Sequence, residues 1–236
     1  MSFKSIQTFC LIFVLSIITT GCKKSSNHSS GVEKGAVIVF RLLIDQKTWE
    51  DTNYGEPPQI AIWIEQPDSG IIKTIWVTSR TATGRWRGKV ICPTSLPYWV
   101  SRYNEETGTN TMITITNPLP DALTGATPSK ELIVKTTVPP GTTWKYFIEV
   151  NASGDYNDSF PPLQKNGHPD PDGNGQPSLV YSGKIKALIG QSDVPILIGR
   201  TDQWDRVDHL ITDLTGINSA KNLLREIRVS CTKIID

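Results

Sequence analysis

The segment Gln59-Ile-Ala-Ile-Trp-Ile-Glu65 indicates the fold class of this chain. It is rich in β-branched and aromatic residues, which favour strands. Because the side chains of a strand alternate between its two faces, one face carries three isoleucines: Ile60, Ile62 and Ile64. The other face carries Ala61, Trp63 and Glu65, so both faces hold apolar side chains. The segment therefore predicts a central strand of a β-sheet and not an exposed edge strand.

Segments of the same character recur on both sides of it, separated by turns rich in glycine and proline. The turn Gln66-Pro-Asp-Ser-Gly70, for example, is typical of a hairpin loop. The predicted strands cover 35–44, 59–65, 71–78, 111–116, 131–137, 144–150, 179–187, 194–198 and 226–230. Only 96–102 and 219–224 are predicted to be briefly helical. Many short strands predict an all-β sandwich or barrel, and the lack of a Gly-rich phosphate loop disfavours a Rossmann or P-loop fold.

Residues 1–22 have the pattern of an export signal. One charge, Lys4, precedes the apolar run 9–18, which is shorter than the roughly 20 apolar residues of a membrane span. The following Thr19-Thr20-Gly21-Cys22 resembles a lipoprotein cleavage box, with threonine at 19 where most such boxes have leucine. This resemblance implies that Cys22 becomes the lipidated first residue of the mature chain. The alternatives are an uncleaved N-terminal anchor and a plain secretory signal.

Residues 23–34 are polar and predict a flexible tether, which leaves 35–236 as a single β-sandwich domain. A lipidated cysteine places this domain in the bacterial cell envelope, as a periplasm-facing or cell-surface lipoprotein whose anchor lies in the membrane. The net charge of +1 argues against nucleic acid as a partner. Cys92 and Cys231 remain in the domain, and either a disulfide bond or two buried free thiols fits them.

The segment Asp121-Ala-Leu-Thr-Gly-Ala-Thr127 resembles the acceptor motif Asp-x-x-(Ser/Thr)-Gly-Ala-Thr of bacterial proteins that carry FMN outside the cytoplasm. In those proteins a flavin transferase joins FMN to the last threonine through a phosphoester bond. The fixed positions of the motif are here Asp121, Thr124, Gly125, Ala126 and Thr127. The resemblance implies covalent FMN on Thr127. The alternative is an ordinary surface turn, since threonine, glycine, aspartate and proline are the usual turn residues.

The residue types of this segment suit an acceptor. A hydroxyl group is a weak nucleophile until something activates or exposes it. Gly125 and Ala126 leave room for a transferase to reach the backbone, and Asp121 can hydrogen-bond the turn and fix its shape. The acceptors that the segment resembles often have a small polar residue after the threonine, where this chain has Pro128.

Several segments together resemble a family of predicted periplasmic bacterial proteins known as domain of unknown function 2271. They are Pro58-Gln-Ile-Ala-Ile-Trp-Ile-Glu65, Thr74-Ile-Trp-Val-Thr78, Gly84-Arg-Trp-Arg-Gly88, Leu96-Pro-Tyr-Trp99, 121–128 and Gly175-Gln-Pro-Ser-Leu-Val-Tyr181. The stretch 121–149 is also similar to the Ig-like domain of flagellar hook-capping proteins. These resemblances imply an Ig-like β-sandwich with short helical turns, accompanied by flavin transferases and membrane electron-transfer proteins. They imply no particular reaction.

The segment Asp170-Pro-Asp-Gly-Asn-Gly175 matches the opening of a calcium-binding loop, with oxygen ligands at alternating positions and glycine at the sixth. The candidate calcium ligands are Asp170, Asp172 and Asn174. Tyr181 stands where such a loop has its glutamate, so a further ligand would come from elsewhere, such as Asp155 or Asp158. The alternative, which the incomplete motif favours, is a solvated turn.

An aromatic and basic cluster is a second candidate for contact with a flavin ring, since arginine and aromatic faces attract. Its members are Arg85, Trp86, Arg87, Tyr98, Trp99, Arg102 and Tyr103. The alternative is packing in the core and rim of a sandwich. No nucleophile and base accompany His168 or His209, so an enzyme is the least supported class. The sequence thus predicts an extracytoplasmic lipoprotein that carries covalent FMN or serves flavin-based electron transfer, with a non-catalytic Ig-like binding or structural module as the alternative.

Overall fold

Strands are the main secondary structure of the described part of the chain, and they form two sheets. The structure is a computed structural model, and it describes residues 35–86, 95–110, 112–120, 123–171, 173–205 and 208–233. Two sheets with a few short helices form the described part, so the predicted all-β sandwich with short helical turns is confirmed.

Ten strands and three α-helices make up the described elements. The strands are β1 (Ala36–Ile44), β2 (Gln59–Gln66), β3 (Ile71–Thr78), β4 (Thr124–Gly125), β5 (Glu131–Val138), β6 (Thr143–Asn151), β7 (Leu179–Lys186), β8 (Ser192–Asp193), β9 (Ile196–Arg200) and β10 (Leu224–Thr232). The helices are α1 (Gln46–Glu50), α2 (Ser79–Thr83) and α3 (Pro97–Thr107), and a short 3₁₀ helix covers Ser219–Asn222.

The smaller sheet has the strand order β5-β1-β10-β8, and the larger sheet has the order β4-β3-β2-β6-β7-β9. Neighbouring strands are antiparallel except for β3 and β4, which run parallel. The two-residue strand β4 therefore lies at one edge of the larger sheet, and β9 lies at the other.

The main core lies between the inner faces of the two sheets. In β1, every second residue is buried: Ala36, Ile38, Phe40, Leu42 and Ile44. These side chains share one cluster with Ile60, Ile62 and Ile64 of β2. Burial of a large apolar side chain contributes roughly 1.5–3 kcal/mol, so this cluster is the main source of stability.

A second cluster covers the outer face of the larger sheet, beneath α2 and α3. Ala61 and Trp63 of β2 lie in it, and the Trp63 ring stacks on Phe147 with centroids 5.0 Å apart. Glu65 lies at the rim, where its carboxylate pairs with the Arg102 guanidinium at 3.1 Å. Because β2 has β3 and β6 as neighbours, the prediction of a central strand with these two faces is confirmed.

The strand registers define two ends of the sandwich, which we call proximal and distal. The proximal end holds the start of β1, where Ala36 pairs with Val138, and the turn at 139–142 that follows β5. The distal end holds the end of β1, where the Ile44 N–H donates to the Lys130 carbonyl. At roughly 3.3 Å per residue, the nine residues of β1 separate the two ends by roughly 30 Å.

The predicted strand at 111–116 is wrong for the described residues 112–116. An isolated bridge between Thr114 and Asn117 is the strand-like pairing found there. Ile113 packs against the second cluster while Ile115 is exposed, so an extended strand at this position would bury little apolar surface. Gly84 also lies against this backbone, since a Cβ built on Gly84 would be 2.9 Å from the Thr114 Cα. The close packing fixes a turn at this position.

The predicted helix at 96–102 is confirmed and continues to Thr107. α1, which the sequence analysis missed, begins after Asp45, whose carboxylate accepts from the Thr48 N–H at 2.9 Å. Such a side-chain cap satisfies an N–H that has no partner within the helix. Among the described residues, no helix has the length and apolar character needed to cross a membrane.

Cys231, on β10, is a buried free thiol. Burial raises the pKa of this thiol. The other cysteine of the domain, Cys92, lies outside the described residues.

Candidate functional site

The acceptor-like segment lies at an edge of the larger sheet. Thr124 and Gly125 form β4 and pair in parallel with Val77 and Thr78 at the end of β3. β3 starts near the proximal end, where Ile71 pairs with Gln66 at the end of β2, and it runs toward the distal end. Because β4 pairs with the end of β3, the segment lies at the distal end of the sandwich. Asp121, the first residue of the motif, lies outside the described residues.

Gly125 packs directly on the indole ring of Trp76. A Cβ built at this position would lie 2.5 Å from Trp76 Nε1 and 2.9 Å from Cε2. Trp76 itself is half-buried at the margin of the main core. Glycine is therefore required at this position because there is no room for a Cβ, and not because of its backbone conformation, which is an ordinary one.

The next residues leave the sheet and are accessible. Ala126 is exposed and Thr127 is half-buried. Within the described part of the chain, the Thr127 hydroxyl has no hydrogen-bond partner. After Pro128 the chain is fixed again, because the Ser129 carbonyl accepts from Trp49 Nε1 at 3.0 Å. The candidate acceptor hydroxyl thus lies on a short connection between two anchored points, and no described residue donates a hydrogen bond to it or accepts one from it.

Asp170, the first residue of the predicted calcium-binding segment, closes that segment into a turn with its side chain. The buried Asp170 carboxylate accepts from the Gly173 N–H at 3.2 Å and from the Gly175 N–H at 3.1 Å. Asn174 is also buried, and its amide donates to the Gln203 carbonyl at 3.3 Å. Asp172 lies outside the described residues. Asp170 thus closes the turn, while Asn174 joins it to Gln203, whose side-chain amide also donates to Asp170 at 3.5 Å.

The two carboxylates considered as further calcium ligands lie in different settings. Asp155 accepts from the Ser219 hydroxyl and from the Gln176 amide, each at 2.7 Å. Burial raises the pKa of the Asp155 carboxyl, and these two hydrogen bonds oppose that change. Asp158 is exposed. No group of three or more His, Cys, Asp or Glu side chains in the described ranges is placed to hold a metal ion.

Glu149, on the outer face of β6, is a buried carboxylate that the sequence analysis missed. It lies at the N-terminus of α3, where its oxygens accept from the Trp99 N–H at 2.6 Å and the Tyr98 N–H at 3.3 Å. The Ser178 hydroxyl donates to it at 2.5 Å and also contacts the Thr201 hydroxyl at 2.7 Å. A carboxylate at a helix N-terminus satisfies unpaired N–H groups and interacts favourably with the helix dipole.

Burial raises the pKa of the Glu149 carboxyl to about 7, while the hydrogen bonds from Ser178, Trp99 and Tyr98 act in the opposite direction. A raised pKa of this kind often marks a functional carboxyl, but structural networks produce it too. Here the Glu149 carboxyl, on β6, is hydrogen-bonded by two N–H groups of α3 and by Ser178 just before β7. These contacts indicate a structural role. Leu96-Pro-Tyr-Trp99 predicts the start of the helix, but nothing in the sequence indicates which acid caps it.

The structure divides the described members of the aromatic and basic cluster, since the four on α3 pack on the outer face of the larger sheet while Trp86 lines a separate cavity with Tyr54 and Arg80. Trp99 is fully buried and packs against Tyr103 with ring centroids 5.7 Å apart, and Tyr98 packs against Trp63 at 5.9 Å. Arg102 pairs with Glu65 and with Glu105. Arg87 lies outside the described residues. These aromatic faces are occupied by the second core cluster, which is the packing alternative stated above.

One open groove of about 170 Å³ lies between the end of α3 and the segment at 109–119. It is lined by Tyr103, Thr107, Thr109, Ile113, Asn117, Pro118 and Leu119. The groove is smaller than the roughly 300–1,000 Å³ of typical small-molecule pockets.

The described residues thus define a two-sheet β-sandwich whose sheet edge presents an acceptor-like threonine. The chain matches no protein-family model, no curated protein and no solved structure.

Proposed function

We propose that this protein is a lipoprotein of the bacterial cell envelope that carries FMN covalently on Thr127 and serves flavin-based electron transfer. The observation that supports the proposal is the combination of the motif with its setting. Thr124 and Gly125 form an edge strand, Ala126 and Thr127 follow it outside the sheet, and the partly exposed Thr127 has no hydrogen-bond partner for its hydroxyl among the described residues. An acceptor for a second protein needs such an accessible hydroxyl.

The chemistry of attachment requires an activated flavin. FMN has no good leaving group on its phosphate, whereas FAD carries FMN in a pyrophosphate bond to AMP. The Thr127 oxygen would attack the flavin-side phosphorus of FAD, form a phosphoester bond and expel AMP, while the hydroxyl proton passes to a base of the transferase. A transferase-bound Mg²⁺ ion would neutralise charge on the pyrophosphate. No electrons are gained or lost in this step.

Three other residues of the motif have roles in this proposal. Gly125 brings the backbone onto Trp76 and so fixes the start of the acceptor segment. Ala126 is exposed and small, so a transferase can approach the chain beside Thr127. We assign Asp121 the role of shaping the turn before β4. FMN once bound supplies one- and two-electron redox chemistry, and the domain supplies a fixed attachment point.

The partners follow from this function. A flavin transferase must recognise the segment 121–127, and membrane electron-transfer proteins must exchange electrons with the flavin. The lipid on Cys22 would hold the domain on the membrane, near such proteins.

Intact mass measurement tests the proposal. The full-length protein is produced with and without a flavin transferase, in the presence of FAD and Mg²⁺. The expected result is an added mass of one FMN less one water, with yellow colour that persists after denaturation. Thr127→Ala should abolish the addition, while Ser129→Ala, at an exposed hydroxyl just outside the motif, is the matched control for general damage and should retain it in full.

An unchanged mass in the presence of several transferases would contradict the flavin proposal. It would leave a non-catalytic binding or structural module at the cell envelope as the function. The lipid anchor is tested separately, since Cys22→Ala should release the protein from membranes or leave an uncleaved precursor. Unchanged fractionation and mass of that variant would contradict lipidation.

A further inference from the structure

We propose that the proximal end of the sandwich is a docking surface for the lipid bilayer, with exposed apolar side chains that enter it and lysines that contact anionic headgroups. This inference rests on the proposed lipidation of Cys22, which supplies the bilayer. It adds a surface of the folded domain itself to the single lipid anchor.

The loop between β7 and β8 places two large apolar side chains in solvent. Leu188 is 42% exposed and Ile189 is 61% exposed. The loop is fixed to the end of β10, because the Gly190 N–H donates to the Cys231 carbonyl at 3.0 Å and the Cys231 N–H donates to the Gln191 carbonyl at 2.8 Å. The exposed pair is therefore held in place by backbone hydrogen bonds.

This loop lies beside the point where the chain enters the domain. Cys231 pairs with Ile38, two residues into β1. On the other side, the Ala187 carbonyl accepts from the Gly141 N–H at 2.9 Å, which joins the loop to the turn after β5. Leu188 and Ile189 thus lie at the same end of the sandwich as Ala36, close to the point where the predicted tether, 23–34, would join the domain.

Two more exposed apolar residues extend the surface along the sheet edge. Val194 and Ile196 are each 69% exposed, between the end of β8 and the start of β9. Ile196 pairs with Ser182 of β7, which lies opposite Phe147, the middle residue of β6, so Ile196 lies about halfway along the larger sheet. Leu188 and Ile189, at the end of the sandwich, are therefore the apolar side chains that enter the bilayer first, and Val194 and Ile196 lie farther from it.

Lysines surround this end. Lys145 and Lys184 lie directly opposite each other on β6 and β7, and Lys186 pairs with Thr143 one step nearer the end. Within the protein, Lys145 Nζ lies over the Phe147 ring, 4.6 Å from its centroid, and the Lys184 N–H donates to the Asp193 carboxylate at 2.9 Å. Anionic lipid headgroups would be attracted to the positive charge of these lysines.

The length of the tether brings this end to the bilayer. Residues 23–34 join Cys22 to the domain, and a flexible chain of about 12 residues has a mean end-to-end distance of roughly 20 Å. The proximal end is then confined near the headgroups at an effective concentration in about the millimolar range. At that effective concentration the surface binds the bilayer even when its intrinsic affinity for lipid is low.

Vesicle sedimentation of residues 23–236, without the signal and the lipid, tests the surface. This fragment contains every described element and both core clusters, and the domain is a compact unit by itself. We expect the fragment to bind vesicles of phosphatidylcholine with phosphatidylglycerol more strongly than vesicles of phosphatidylcholine alone. Leu188→Ser with Ile189→Ser should lower the partition coefficient by about tenfold, since two apolar side chains no longer enter the bilayer.

The matched control is Met112→Ser with Ile115→Ser, which removes two apolar side chains at least as exposed (54% and 62%) outside the proximal end. This control should bind vesicles as the wild type does. Thermal denaturation of both double variants verifies that each remains folded. Alanine at Lys145, Lys184 and Lys186 should remove the preference for phosphatidylglycerol.

Three results would overturn the inference. They are no binding of the wild-type fragment to either vesicle, equal binding by the Leu188→Ser/Ile189→Ser variant, and a dimer in solution that this variant abolishes. The third would show that a second copy of the chain covers the surface. Because the fragment lacks Cys22, these results leave the lipidation itself untouched, and the mass of the membrane-bound full-length protein decides that point independently.

Discussion

At the residue scale, Gly125 is a position of the acceptor segment that has no room for a side chain. Gly125→Ala would place a methyl group against the Trp76 indole, where the nearest atom is 2.5 Å from the new Cβ. Overpacking of this kind costs about 1–3 kcal/mol, so we expect a loss of that size in the free energy of unfolding. Denaturant titration measures it, and Ala126→Ser, at the exposed neighbouring position, should leave stability unchanged. A fully stable Gly125→Ala variant would show that β4 shifts freely.

Glu149 sets a pH dependence of stability. Its folded-state pKa is raised from 4.5 to about 7 by burial, so between these two values the folded state retains a proton that the unfolded state has lost. Stability therefore falls as the pH rises through this window. Relative to Glu149→Gln, which does not titrate, we expect the wild type to lose about 3 kcal/mol between pH 4 and pH 8.

Urea titrations of both proteins at a series of pH values measure this difference. Other ionisable groups cancel because both proteins share them. Parallel stability curves would contradict the prediction, and they would mean that the α3 N–H groups and Ser178 hold the carboxyl in its charged form. Nuclear magnetic resonance titration of the Glu149 carboxyl gives the same pKa directly, even where the glutamine variant folds poorly.

At the scale of elements, the strands with apolar alternation were predictable from the sequence. β2 is the best example, since its two faces supply the two core clusters, as the alternation of isoleucine with alanine and tryptophan predicts. The segment 112–116 alternates as well, but among the described residues it has no partner strand beyond an isolated bridge. Alternation indicates which residues can share a face, and only the tertiary structure decides whether a neighbouring strand exists.

The candidate site was predictable to a smaller extent. The motif indicated which threonine to consider, and Thr127 lies two residues after the edge strand β4, where it is half-buried. The contact of Gly125 with Trp76 and the cap that Glu149 provides for α3 were not predictable. Both join residues about 50 positions apart in the sequence, and nothing local in either segment identifies the partner.

The turn at 170–175 leads to a prediction for calcium. Since the Asp170 carboxylate already accepts two backbone N–H groups, we expect calcium binding only at about millimolar concentration or not at all, as measured by calorimetry. Asp170→Ala should lower the free energy of unfolding by about 1–3 kcal/mol, because the Gly173 and Gly175 N–H groups lose their acceptor. Asp158→Ala, at an exposed carboxylate, is the control. A sub-micromolar calcium affinity would contradict this prediction.

Pro128 leads to a prediction for the acceptor segment. Proline fixes its own φ and restricts the residue before it to extended conformations, so Thr127 has little freedom to enter a transferase. Pro128→Ser should therefore raise the initial rate of FMN attachment severalfold, measured by intact mass against time. Pro120→Ser, on the other side of the segment, is the matched control and should leave the rate unchanged. A slower reaction of Pro128→Ser would mean that the proline holds the acceptor in the productive conformation.

At the scale of the whole molecule, the two proposed surfaces lie at opposite ends. The start of β1 and the exposed loop with Leu188 and Ile189 belong to the proximal end, and β4 of the acceptor segment belongs to the distal end. The length of β1 separates them by roughly 30 Å. A flavin on Thr127 would thus face away from the bilayer, toward a partner whose redox centre projects from the membrane or moves freely in the envelope.

Fluorescence quenching tests this arrangement. The lipidated protein with FMN on Thr127 is placed in vesicles whose headgroups carry nitroxide labels, which quench only over a short range. We expect the flavin emission to be nearly the same as in unlabelled vesicles, while a fluorophore attached at Ile189→Cys, in the proximal loop, should be strongly quenched. Strong quenching of the flavin would mean that the domain lies on its side on the membrane, because the two ends are too far apart for both to contact the headgroups when the strands stand upright.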